Sequence, residues 1–262
     1  GSTNQVMQTD GAGNVSWATV SGGGSGNAVI TSGTNTTDTV RINLSNVASG
    51  NCSTVSGGFG NTASSISSTI GGGIGNTASS PASTVSGGKS NTASGDTSFI
   101  GGGNSNTVSG NCSTIGGGDS NIAGGDYSFI GGGGCNAALG DCSTIGGGAN
   151  NKGGNTNNTA IGNTSTIGGG GCNTACGDVS FIGGGYNNSS IGNGSTITGG
   201  YSHIACGGNS FIGGGCNNIA SGDYSFIGGG CGNTASGDNS FIGGGEDNCI
   251  TSSGTYSTIG GG

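Results

Sequence analysis

Residues Gly124 to Gly133 read G-G-D-Y-S-F-I-G-G-G, and most of the chain after residue 40 consists of further copies of that stretch. Close copies begin at Gly222 (G-D-Y-S-F-I-G-G-G) and at Gly237 (G-D-N-S-F-I-G-G-G). The aliphatic residue ahead of each glycine run recurs every 15 residues at Val55, Ile70, Val85, Ile100, Ile115, Ile130 and Ile145. A second run follows at Ile167, Ile182, Ile197, Ile212, Ile227 and Ile242, and Ile259 closes the series. A repeat sustained through this many copies sets the architecture before any motif is consulted.

Other offsets repeat with the anchors. Six residues after most of them stands asparagine: Asn61, Asn76, Asn91, Asn106, Asn121, Asn136, Asn173, Asn188, Asn218, Asn233 and Asn248. Two further on comes a small residue, usually alanine, and then glycine with aspartate or asparagine, as in Gly125-Asp126 and Gly222-Asp223. Each repeat therefore offers two short extended runs, S-[TF]-I and N-T-A-S, separated by glycine-bearing corners. Three consecutive glycines would cost a helix interior about 1 kcal/mol each, and the apolar residues lack a 3.6-residue spacing. Collagen fails because glycine is not every third residue and there is a single proline.

The remaining solution is an all-β solenoid, or β-roll, of 15-residue coils stacked at about 4.8 Å. In it the anchors form an aliphatic core ladder, the alanines a facing one, and the asparagines a hydrogen-bonded ladder at a turn. Glycines serve corners that need positive φ or close backbone approach. Residues 1 to 39 read as an irregular connector in which Asn14 to Trp17 follows the turn signal Asp10 to Gly13 and forms a short strand. A degenerate first turn at Val20 to Gly24 is expected before the regular region, 40 to 262, which starts from the anchor Val40. Fourteen coil steps give a rod of about 67 Å. Seven extra residues between Ile145 and Ile167 are expected to bulge around Ala149 to Asn157, and two more fall near Ile250 to Gly254. Corners are where a solenoid tolerates insertions.

Glycine is 69 of 262 residues and charged residues are 5%, a composition that the strict period rescues from a reading of disorder. Eleven acidic against three basic residues give a net charge of -8, the wrong sign for gripping phosphates, so no nucleic-acid partner is expected. There is no run of 18 apolar residues, so no membrane insertion is expected in this segment. The chain opens Gly1-Ser2-Thr3 rather than with a methionine and a charged, then apolar, leader, and reads as a mature or excised piece.

Successive strand residues point to opposite faces, so with Ile130 inside, Phe129 faces out. The outward row alternates threonine with Phe99, Phe129, Phe181, Phe211, Phe226 and Phe241, an apolar stripe of the kind that marks an interface. One isoleucine and one alanine per coil make a thin core, and association along the stripe would add burial. The unit S-F-I-G-G-G-x-x-N-T-A-S-G-D resembles the head repeats of YadA-like trimeric autotransporter adhesins, and more closely the glycine-rich variants of that repeat in surface and tail-fibre proteins. The string N-Q-V-M-Q-T-D-G-A-G-N-V-S-W, Asn4 to Trp17, resembles connectors that precede repetitive shafts in phage tail fibres. The resemblance implies a parallel homotrimer of left-handed β-rolls. The 15-residue unit, the G-G-G corner and the ten cysteines depart from the adhesin pattern.

No residue set spells catalysis: there is one histidine, His203, one glutamate, Glu246, and no paired-carboxylate or G-x-S-x-G constellation. No metal or cofactor is expected, since no C-x-x-C occurs and His203 occupies an asparagine slot. Aspartates 96, 126, 141, 178, 223 and 238 come one per coil, too few for calcium, and read as turn residues. The cysteines read mainly as scattered small buried residues standing in for serine, threonine or alanine, with interchain or cross-corner disulfides as the alternative; Cys216 and Cys231 alone occupy one phase on neighbouring coils, where straight stacking disfavours a disulfide. The reading is a non-enzymatic fibre protein, the shaft or head segment of an extracellular, cell-surface or virion-surface fibre, associating with itself and contacting a host or cell-surface receptor. A self-assembling matrix or appendage filament is the alternative. Ice binding is the remote one, since the row Thr62, Thr77, Thr92, Thr107 gives way to Ile122 and Ala137.

Overall fold

The computed structural model describes residues 5–9, 15–19, 45–148 and 158–262. The chain divides into two units, Gly1–Arg41 and Ile42–Gly262. In the first, strands Gln5–Thr9 and Val15–Thr19 pair antiparallel with Met7 opposite Trp17. The expected turn at residues 20–24, the anchor Val40 and the bulge at residues 149–157 lie outside the described residues.

The second unit is a parallel β-solenoid with no helix among the described residues. Each coil contributes one two-residue strand to each of two 14-stranded sheets. The isoleucine sheet runs from Thr54–Val55 to Thr258–Ile259, and the alanine sheet from Val47–Ala48 to Cys249–Ile250. Register is straight: Phe129 and Ile130 pair with Thr144 and Ile145, and Ile122 and Ala123 with Ala137 and Ala138. The 22-residue step from Ile145 to Ile167 is still one coil, because both sheets pair across it in unbroken register. The two extra residues near the end sit in a corner, where Gly254 N–H bonds Thr251 O and Ser257 N–H bonds Gly254 O. A third ladder of single backbone bridges links Phe59, Ile74, Lys89, Asn104, Asp119 and Gly134, and a second run of bridges joins Gly171 to Glu246.

Alternation along the strands places the core. Every anchor from Ile70 to Ile242 is fully buried, and the alanine-sheet residue facing it is buried as well, usually Ala but Val108 and Ser190 in two inner coils; Val55 and Ile259, at the two ends, are partly buried. An interior this narrow holds about one branched aliphatic and one small residue per coil, Val108 being the largest of the small row's inner members, so backbone hydrogen bonds between coils carry much of the structure.

Left-handed residues turn each coil at three places: the tight turn after the alanine strand, the glycine after the isoleucine strand, and the residue after the third ladder, such as Ser120 and Cys135. In the first, residues Gly125-Asp126-Tyr127-Ser128 form a tight turn whose third residue is left-handed, φ 57° at Tyr127. Glycine is at the first position, where a Cβ on Gly125 would overlap the Gly140 carbonyl of the next coil. The left-handed residue is rarely glycine: Cys112, Tyr127, Cys142, Val179 and Tyr224 all occupy that slot with φ between 53° and 58°. A β-branched residue there is strained, whereas asparagine tolerates the region and already fills the slot at Asn209 and Asn239. Val179→Asn is therefore expected to raise unfolding stability by about 1 kcal/mol, read from the denaturant midpoint. A lower midpoint would show that the Val179 side chain contributes packing its exposure does not suggest. The second corner follows the isoleucine strand, with left-handed glycine at Gly118, Gly133 and their equivalents.

Candidate functional site

Four rows of side chains run along the solenoid, and the surface is best read row by row. The asparagine row is internal. Asn121 is fully buried; its Oδ1 accepts the backbone N–H of Asn136 at 2.9 Å, and its Nδ2 donates to Gly117 O and Gly133 O at 3.1 and 3.0 Å. The same pattern is repeated at Asn61, Asn76, Asn91, Asn106, Asn173, Asn188, Asn218 and Asn233. Asn248, half-buried in the last coil, donates to Gly244 O. One amide thus satisfies backbone groups of its own coil and of the next, which ties the glycine corner to the strand after it. Asn136 Oδ1 is buried without a partner among the described residues.

His203 stands in this row, fully buried between Asn188 and Asn218. Its backbone N–H donates to Asn188 Oδ1 at 3.0 Å, and its ring Nδ1 accepts the Asn218 backbone N–H at 3.1 Å, so the ring must be neutral with the proton on Nε2. Burial pushes its pKa below 6.5, against the opposing pull of backbone groups of Gly215 and Asn218. The folded chain then binds fewer protons than the unfolded one below about pH 6.5, so this contribution to stability is present above that pH and is lost as pH falls below it. His203→Asn is expected to abolish the loss between about pH 6.5 and 5, a window above the ordinary carboxylate range. Melting temperatures at the two pH values check it; an unchanged slope in the variant would place the acid sensitivity elsewhere.

The phenylalanine row lies outside on the isoleucine sheet. Phe99, Phe129, Phe181 and Phe241 are exposed, and Phe211 and Phe226 half-buried by their neighbours. Phe211, Phe226 and Phe241 stack face to face, with centroids 4.8 and 5.0 Å apart. Each ring lies over the glycine two residues on: Phe211 Cε1 would sit 3.4 Å from a Cβ on Gly213. Where serine or threonine takes that position, at Ser56, Ser86 and Thr198, the row carries threonine instead of phenylalanine, at Thr54, Thr84 and Thr196.

The outer face of the alanine sheet changes character along its length. Its first coils present hydroxyls, Thr62 with Ser64, Thr77 with Ser79, Thr92 with Ser94 and Thr107 with Ser109. From Ile122 onward it presents Leu139, Ile161, Ile191, Ile204 and Ile219, with Cys176 and Cys206 among them. This second apolar block escapes inspection of any single repeat offset, because its members alternate between the residue before the buried alanine and the residue after it.

Charge is kept off both outer sheet faces. Among the described residues it stands at the first corner, where Asp126 N–H bonds Asp141 Oδ1 and Asp223 N–H bonds Asp238 Oδ1, or beside the third ladder at Lys89, Asp119, Glu246 and Asp247. The corner aspartates thus cap one another's backbone. No cluster of three or more His, Cys, Asp or Glu among the described residues is placed to hold a metal ion.

The third ladder corrects the cysteine reading. Cys216 and Cys231 form a disulfide, because straight stacking brings their Cα atoms to 4.7 Å, inside the span a disulfide bridges. Beside it, Tyr186 and Tyr201 stack with centroids 5.9 Å apart, and a hydrogen bond shared with Cys172 pushes the Tyr186 phenol pKa above its ordinary value. Cys52, Cys112, Cys135, Cys142, Cys206 and Cys249 are exposed thiols outside any disulfide, not the buried small residues that the sequence suggested. No protein-family model and no curated protein matches the chain.

Proposed function

We propose that this chain is the shaft or head segment of an extracellular fibre, on a cell or virion surface, built from three parallel copies and without enzymatic activity. The observation that carries the reading is the uncharged phenylalanine row on a solenoid whose own core is one isoleucine and one alanine wide. A rod with so little interior gains most from burying such a row against another copy, and charge-free apolar area is what interface centres present. The likeness of the repeat to YadA-like head repeats and glycine-rich tail-fibre repeats points to the same arrangement and to contact with a host or cell-surface receptor at some site along the fibre. The fibre holds its contacts at a distance; the coils supply length and stiffness, and the corners supply places to vary.

Electron micrographs of the purified chain test this. Discrete rods with a repeat region of about 67 Å are expected. Open-ended filaments would favour a self-assembling matrix instead.

A further inference from the structure

We infer that neighbouring copies meet through two different faces: the phenylalanine row of one chain seats, coil against coil, on the aliphatic block of the next chain's alanine sheet. This rests on the fibre reading and deepens it by naming the contact. Seven successive coils carry the block, from Ile122 through Leu139, Ile161, Ile191 and Ile204 to Ile219, with Cys176 filling the coil between Ile161 and Ile191. Phe129, Phe181, Phe211 and Phe226 belong to four of those same coils, so the two faces overlap at one axial level without any shift of one chain along the other.

Three observations select a second copy as the occupant. The first is pitch. Both rows advance by one coil per residue, and the stacked phenylalanines show that step directly, 4.8 and 5.0 Å between rings. Only a partner that repeats at the same step can meet every coil, and another copy does. The second is charge. Neither face carries a charged residue among those described, while the corner aspartates stand to the side, where they remain in water when the faces close. For a chain of net charge -8, contact through the first corner would instead bring carboxylates together. The third is closure. A phenylalanine row that met only another such row about a twofold axis would stop at two chains, whereas a contact between unlike patches propagates and, where the rotation from copy to copy closes, makes the ring that a three-chain fibre needs. The hydroxyl part of the alanine sheet, Thr62 to Ser109, is left wet beside this contact.

The native cysteines report on it. Cys206 lies exposed on the alanine-sheet face of a single chain, and Cys142 lies exposed at the first corner. Native particles are sized by light scattering, then alkylated with iodoacetamide, and labelling of each cysteine is followed by mass spectrometry. A multichain mass is expected, with Cys206 labelled about tenfold more slowly than Cys142 and the difference erased in denaturant. Ile191→Asp is expected to reduce the particle to single chains with an unchanged circular dichroism spectrum, while Thr92→Asp leaves the mass unchanged. A multichain mass in which Cys206 reacts as fast as Cys142, or survives Ile191→Asp, overturns the two-faced contact and leaves the fibre reading standing. A single-chain mass for the unmodified protein overturns both.

Discussion

Gly118→Ala is expected to disrupt the solenoid around its coil, while Gly117→Ala, one residue away, changes stability by no more than about 0.5 kcal/mol. The two glycines differ in what surrounds them. Gly118 has φ 98°, and a Cβ there would overlap the Gly133 carbonyl of the next coil and stand 2.7 Å from Asn121 Nδ2 and 2.9 Å from the Gly133 N. Backbone strain and forced separation of the coils together cost about 2–6 kcal/mol. Gly117 lacks a left-handed φ, and a Cβ there would meet nothing within 4 Å. Denaturant unfolding of the two variants measures the contrast directly. Equal losses would mean that the glycine run is kept for flexibility rather than for this one contact between coils.

Asn121→Leu is expected to be the costliest substitution that keeps the branched heavy-atom skeleton of the side chain. It removes the acceptor of the Asn136 N–H and the donor to Gly117 O and Gly133 O, all beside a fully buried position. The N–H has no alternative partner, whereas the two carbonyls stand nearer the surface and water can reach them. Counting the N–H in full and discounting the carbonyls gives a loss of about 2–4 kcal/mol. Because each coil contacts only its neighbours, the loss opens the stack locally, and hydrogen exchange at the Asn136 amide registers it. Asn121→His costs less, since an imidazole Nδ1 can take the acceptor role, as His203 does for Asn218. A leucine variant as stable as the parent would refute the view that the amide row ties corner to strand.

Much of this architecture was legible because it depends on side chains that recur. Isoleucine, alanine and asparagine each fill a slot whose neighbours one coil away are the same residue, so a 15-residue period and strand alternation suffice to place them inside. The left-handed slot at Tyr127 and Val179 was not legible: glycine marks the residue two places earlier, where coils approach closely, and the strained residue is held by the turn around it. The third ladder left no pattern because only backbone atoms pair there, which lets Phe59, Lys89, Asp119 and Gly134 occupy equivalent positions. That ladder brings Cys216 and Cys231 together, and the disulfide was missed with it. The aliphatic block from Ile122 to Ile219 was hidden for a different reason: a sheet face is two offsets wide, and a single column shows only half of it.

The mass of the native particle in solution, taken with and without reductant, tests the central claim most directly. Three chains per particle under both conditions is the expected result, since the contact proposed is apolar and the one disulfide among the described residues lies within a chain. A single chain under both conditions would contradict it, leaving the phenylalanine row exposed in water and the shaft without its partners.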